Sequence, residues 1–206
     1  MLLQAQECQL VLVDYQEKLM PALWHHEQIL LNALRLAQAA EILHVPTWGT
    51  EQNPARLGSN PEALRALCRQ TLPKMAFSSV HEGLLDVLRS PVQTPRPPAG
   101  NARSLPRHLQ KKHHEAPASQ APSNIVLAGC EAHICLLQTA LELLEEEFDV
   151  WVVTDACTSR TEANRDAAFD RLAGAGVELV TTEMVLFEWL RTAEHAAFKP
   201  IQALIK

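Results

Sequence analysis

Aromatic residues are scarce in this 206-residue sequence, at 5%, and Tyr15 is the only tyrosine. Stacking on bases or sugars is therefore not a main mode of recognition. Positive charge is also short, with 18 Lys and Arg against 24 Asp and Glu and a formal net charge of -6. A nucleic acid or an anionic membrane would be repelled, so neither is expected as a partner. No apolar run approaches the roughly 20 residues needed to cross a bilayer. The start, MLLQAQECQLVLVDYQ, lacks the basic region of a signal peptide, and a cytoplasmic location is expected. The five cysteines, at 8, 68, 130, 135 and 157, follow no framework spacing, which suits reduced thiols. Without a CxxC or HxxxH pair beside Cys130 and Cys135, a zinc site is not expected.

The length suits one domain, and the apolar pattern says what kind. Leu10 to Val13, Ile125 to Ala128, Phe148 to Thr154 and Val177 to Val180 are apolar blocks without alternation. Between them lie stretches of helical period, the clearest marked by Ile29, Leu30, Ala33, Leu34, Ala37 and Ala40. Unbroken apolar strands alternating with helices imply an α/β protein whose parallel sheet is covered on both faces. His44 to Thr50 returns to extended structure, and Asn60-Pro61 reads as an N-cap opening a helix through Leu67. Thr71 to Ser79 breaks that helix at Pro73, and His81 to Leu88 forms a short one. Met184 to Lys206 reads as helical, and its apolar side chains, among them Phe187 and Trp189, face either the core or another subunit.

Ser90 to Pro122 differs in kind, holding seven of the thirteen prolines and little that is apolar. Such a segment cannot bury enough surface to offset its ordering entropy, so residues 91–122 are expected to form a mobile, basic surface insertion. His108, His113 and His114 within it read as solvated side chains and not as metal ligands.

The chemistry centres on SNIVLAGCEAHIC, Ser123 to Cys135, followed by leucines at helical spacing. Strand, tight turn and helix place Cys135 in a first helical turn, where orphan N–H groups and the helix dipole are expected to lower its pKa. Read alone, Cys135 is either a nucleophile or a small core residue. Asp14 ends the first strand, where open α/β sheets put their sites, and is equally a candidate cap. Lys74, beside Met75 and Phe77, is either a snorkelling side chain or a buried cation that holds a thiolate. Trp24, Trp48 and Trp151 are either pocket-lining or packing residues.

VLVDYQEKLMP, LPKMAFS, VLAGCEAHICLLQTALELLEEEFDVWVVTDACTSR and the tail VTTEMVLFEWL together resemble the isochorismatase-like cysteine hydrolases, over nearly the whole chain except the proline-rich insertion. The resemblance implies a Rossmann-like three-layer α/β/α sandwich with a six-stranded, mainly parallel sheet in one domain, 1–206. It carries a catalytic triad onto Asp14, Lys74 and Cys135, and a cis peptide onto Cys130 and Glu131. That bond would set the Glu131 and Cys135 backbone N–H groups as an oxyanion hole. Tyr15, Gln16, Thr50, Glu51, Gln52 and Phe77 become candidate pocket residues. Nicotinamidases of this superfamily bind a metal through an Asp-x-His pair and another His. Here WGTEQNPARLGSN offers no Asp or His, so no metal and no cofactor are expected. True isochorismatases lack the nucleophilic cysteine, so Cys135 favours acyl transfer. The reading is a homo-oligomeric hydrolase of a small amide or related carbonyl compound. Its alternatives are a catalytically silent binding module and a redox-sensing thiol protein.

Overall fold

The computed structural model describes residues 2–90 and 121–206. The insertion expected at 91–122, with His108, His113 and His114, falls almost wholly outside the described residues. Strand β1, Cys8–Val13, leads into helix α1, His26–Ile42, and strand β2, Thr47–Gln52. The single-turn helices α2, Pro54–Leu57, and α3, Glu62–Arg65, precede β3, Gln70–Lys74. After α4, Leu84–Arg89, come β4, Asn124–Gly129, α5, Leu137–Glu145, β5, Asp149–Val153, and α6, Glu162–Gly174. Strand β6, Glu178–Val180, and helices α7, Thr182–Leu190, and α8, Phe198–Leu204, complete the order.

The six strands form one sheet in the order β3-β2-β1-β4-β5-β6, and every pairing is parallel. α1 packs with α7 and α8 on one face, and α5 with α6 on the other. That double covering is why β1 and β4 are buried at every position and read as unbroken apolar runs. The order of connection reverses between β1 and β4, which creates a crevice at their carboxyl ends. Asp14 follows β1 there, and Cys130 follows β4.

Two expectations fail in the segment 60–79. Asn60 does not cap a helix: its side-chain amide donates to the Thr50 carbonyl, and α3 lasts one turn. Pro73, expected as a helix breaker, lies within the edge strand β3, paired with Glu51. An edge strand tolerates a residue without an N–H because one side of its ladder is unpaired. The tail is also not one helix, since Arg191 adopts a φ of 63° and separates α7 from α8. Within α7, Leu186 and Trp189 pack into the core, while Met184 and Phe187 are exposed. Among the described residues, no helix is long and apolar enough to cross a membrane.

One close approach fixes the crevice. A Cβ on Gly129 would lie 2.4 Å from the Val13 carbonyl oxygen and 2.5 Å from the Val13 Cβ, so β1 and β4 meet there only because position 129 has no side chain. A Cβ on Gly174, at the end of α6, meets nothing within 4 Å. Gly129→Ala is therefore expected to destabilise the protein at the upper end of the about 1–3 kcal/mol range of overpacked cores. Gly174→Ala, measured beside it by urea denaturation, is expected to be neutral or stabilising. Equal midpoints for the two variants would remove the steric argument.

Candidate active site at the carboxyl rim of the sheet

Strands β1 and β3, on either side of β2, deliver the carboxylate and the ammonium of this site. Asp14 takes a left-handed φ of 53°, a conformation that Asp tolerates better than most residues, and its carboxylate is fully buried. Lys74 ends β3 and is 2% exposed, with its Nζ 2.7 Å from Asp14 Oδ2. The ammonium also donates to Gln52 Oε1 at 2.8 Å and to the Phe77 carbonyl at 2.9 Å, so its three protons have acceptors. Thr50 Oγ1 donates to Asp14 Oδ1 at 2.8 Å. β2, which lies between β1 and β3, thus supplies one side chain to each partner of the ion pair.

Cys135 enters from β4. The helix start expected there is a π-helical turn, Ala132–Leu136, that runs into α5. The Cys135 thiol is 6% exposed and lies against both Asp14 and Lys74. The expected fall in its pKa is not what this environment produces. Burial pushes the thiol up to about 12, and the Asp14 carboxylate adds to the rise, while the Lys74 ammonium pulls the other way. The helix-terminus argument fails because desolvation and an adjacent carboxylate outweigh a dipole that the neighbouring ammonium only assists. Cys135 rests as a thiol beside a proton acceptor.

The Cys130–Glu131 peptide is cis. Among the described residues, the Glu131 N–H meets no acceptor. The Glu131 side chain points away into a bidentate pair with Arg160, at 2.6 Å to Nη2 and 3.0 Å to Nε, and accepts the Arg160 backbone N–H at 3.1 Å. Burial raises the Glu131 carboxyl, but these bonds overcome it and hold its pKa below the usual carboxylate range.

A cleft of about 300 Å³ opens over Cys135. Gln52 and Phe77 line it together with Leu19, Leu57, Ile134, Glu131 and Arg160. Tyr15, Gln16, Thr50 and Glu51, expected as pocket residues, do not line it. The Tyr15 hydroxyl donates to the Ala156 carbonyl inside the core, and Gln16 bonds the backbone of Gln52 and Gly58. Thr50 faces Asp14, and Glu51 accepts the Asn60 N–H at 2.8 Å. Trp24 packs under Arg165 and Trp48 donates to Gln9, so neither reaches the cleft, and Trp151 lines a separate pocket with Gly176. Arg160, Leu19, Leu57 and Ile134 were not singled out from the sequence. The signal available for Arg160 was its place just past β5, on the same rim as Asp14 and Cys135. Among the described residues, no cluster of three or more His, Cys, Asp or Glu is placed to hold a metal ion.

Sheet and crevice define a three-layer α/β/α protein with a thiol, a carboxylate and an ammonium gathered at its topological switch point. The Isochorismatase domain family matches residues 8–184. Isochorismatase domain-containing protein 2 of Danio rerio is 34% identical over 95% of this chain and 85% of its own length. Its Bos taurus counterpart is 36% identical over 96% and 82%. The structure of the MAR1 ribonuclease from Caenorhabditis elegans superposes with a TM-score of 0.81 at 29% identity, covering 100% of this chain and 92% of that one. The chain belongs to the isochorismatase family and has that family's hydrolase fold.

The buried ion pair makes a testable claim about stability. Lys74→Met leaves the Asp14 carboxylate buried without its counter-charge and is expected to cost about 3–5 kcal/mol. The double variant Asp14→Asn/Lys74→Met removes both charges and is expected to recover much of that loss in urea denaturation. Losses that simply add would show that the two side chains do not interact.

Proposed function

We propose that this protein is a cysteine hydrolase that cleaves a small amide or related carbonyl compound through a thioester on Cys135. The observation that carries the reading is the meeting of a buried thiol with a carboxylate whose own position is fixed by Lys74 and Thr50. Asp14 accepts the Cys135 proton as the sulfur attacks the carbonyl carbon, so the thiolate forms only when it is used. The oxyanion that results is held by the backbone N–H groups of Glu131 and Cys135. Collapse breaks the C–N or C–O bond, and protonated Asp14 gives its proton to the leaving amine or alcohol. Asp14 then takes a proton from water, which attacks the thioester. Collapse of the second oxyanion releases the carboxylic acid, and the proton returns through Asp14 to the sulfur. The Lys74 ammonium offsets the negative charge carried in turn by Asp14, sulfur and oxyanion.

The raised thiol pKa weighs against redox sensing, which depends on a thiolate that is present at rest. A silent binding module has no use for a buried ion pair aimed at a thiol, since such a pair is costly to keep. The C. elegans neighbour is described as a ribonuclease. In this chain the formal net charge of -6 and the internally paired cleft charges oppose a polyphosphate substrate. The reading also places the protein, with its five free cysteines, in the cytoplasm as a homo-oligomer. The exposed Met184 and Phe187 of α7 are the surface that self-association would cover.

The test offers primary amides and N-carbamoyl compounds to the protein, with and without a chelator, and follows amine release and intact mass. A substrate is expected to leave an acyl adduct that is absent in Cys135→Ala. Asp14→Asn is expected to lose the adduct, with turnover reduced by at least about 10²-fold, the scale of a general acid–base contribution. Turnover that survives Cys135→Ala would defeat the reading, and an undiminished adduct in Asp14→Asn would remove Asp14 from it.

A further inference from the structure

Among the described residues, the charges around the cleft are committed to one another. Lys74 is paired with Asp14 beneath Cys135, and Arg160 is paired bidentately with Glu131 at the wall. No other charged side chain among the described residues lines the space, and the remaining walls are Leu19, Leu57, Phe77 and Ile134, with the Gln52 amide. At about 300 Å³ the cleft sits at the small end of the about 300–1,000 Å³ usual for ligand sites. A ligand that enters loses water to carbon on most sides. An anionic group would lose its hydration without gaining a counter-charge, because the guanidinium nearest to it already holds a carboxylate through two of its nitrogens.

Resting on the hydrolase reading for the chemistry but on the cleft walls for selection, we propose that this site takes small uncharged carboxamides with an apolar acyl chain and rejects acyl chains that carry a carboxylate. The acyl chain lies against Leu19, Leu57, Phe77 and Ile134. The carboxamide carbon lies over the Cys135 sulfur, and its oxygen points to the Glu131 and Cys135 N–H groups. Hydrolysis of such a compound releases ammonia and an apolar carboxylic acid. That product acquires its negative charge in a cleft whose charges, among the described residues, are already paired, which favours its departure.

Pentanamide and succinamate reach equally far from the carboxamide and differ in the ethyl or carboxylate group that ends the chain. Their binding to Cys135→Ala, measured by isothermal titration calorimetry, separates this inference from the hydrolase reading because no turnover is needed. Pentanamide is expected to bind about a hundredfold more tightly than succinamate, the scale set by stripping water from an uncompensated carboxylate. Shortening it to propanamide is expected to weaken binding by about fourfold per methylene removed. Leu57 is half-buried at the end of a one-turn helix, so Leu57→Arg is expected to fold and, by adding an unpaired cation, to bring the two affinities together or reverse them. Equal or tighter binding of succinamate to the Leu57 protein, no measurable binding of either amide, or a ratio unmoved by Leu57→Arg would each overturn the proposal. A wild-type protein that binds pentanamide as expected but never hydrolyses it would defeat the catalytic reading alone.

Discussion

The Asp14–Lys74 ion pair is the constraint to which the rest of the site answers. Two opposite charges, 0% and 2% exposed, sit 2.7 Å apart at the carboxyl rim of a sheet whose central strands β1 and β4 are buried at every position. Their removal from water costs several kcal/mol each, and their attraction repays it only if the remaining bonding capacity is filled. The structure fills it from β2, through Thr50 to the carboxylate and Gln52 to the ammonium, and from the backbone at Phe77. Three adjacent parallel strands are thus tied together at one end, and the reversal of strand order beside β1 leaves room for β4 to bring in the sulfur. Fold and site are one arrangement here: β1, β2 and β3 position a proton acceptor, and β4 with the turn after it positions the proton donor.

This arrangement decides the resting protonation state. Among buried groups, an ion pair of zero net charge has little reason to ionise a third, and the Cys135 thiol stays protonated with its pKa pushed up to about 12. A thiolate at rest would react with any electrophile or oxidant that entered. On the proposed mechanism a thiol next to a carboxylate becomes a strong nucleophile only as its proton leaves, which moves specificity from the nucleophile to the cleft. The cleft is apolar and internally neutral, which suits an uncharged substrate. The Glu131–Arg160 pair serves both requirements of the proposed reaction, anchoring the residue whose N–H is assigned to the oxyanion and keeping the guanidinium occupied.

Much of this was legible in the residues. The runs Leu10 to Val13 and Ile125 to Ala128 announced central parallel strands, because only strands covered on both faces remain apolar at every position. The motifs around Asp14, Lys74 and Cys135 carried the family, and the three side chains they name meet at the candidate site. The edge strand β3 was not legible, since Gln70 to Lys74 is polar and contains a proline, features that an exposed edge allows and a pattern search rejects. Gln16, Thr50 and Glu51 lie beside the site in sequence, but the direction in which a side chain leaves the end of a strand depends on local backbone angles such as the left-handed φ of Asp14. They became hydrogen-bonding supports, while Leu57 and Arg160, from more distant segments, became walls. The sign of the Cys135 shift was missed because a helix start is visible in sequence and desolvation is not.

The most direct test of the central claim is the rate at which iodoacetamide alkylates Cys135 as a function of pH, read peptide by peptide in wild type and in Asp14→Asn. The account predicts a wild-type rate that keeps rising past pH 9.0, the ordinary thiol value, because the midpoint lies near 12. In Asp14→Asn the midpoint falls, since the Asp14 charge that raises the thiol is gone and the Lys74 ammonium that lowers it remains. A wild-type rate that levels off at or below pH 9.0, or a profile that Asp14→Asn leaves unmoved, would contradict it.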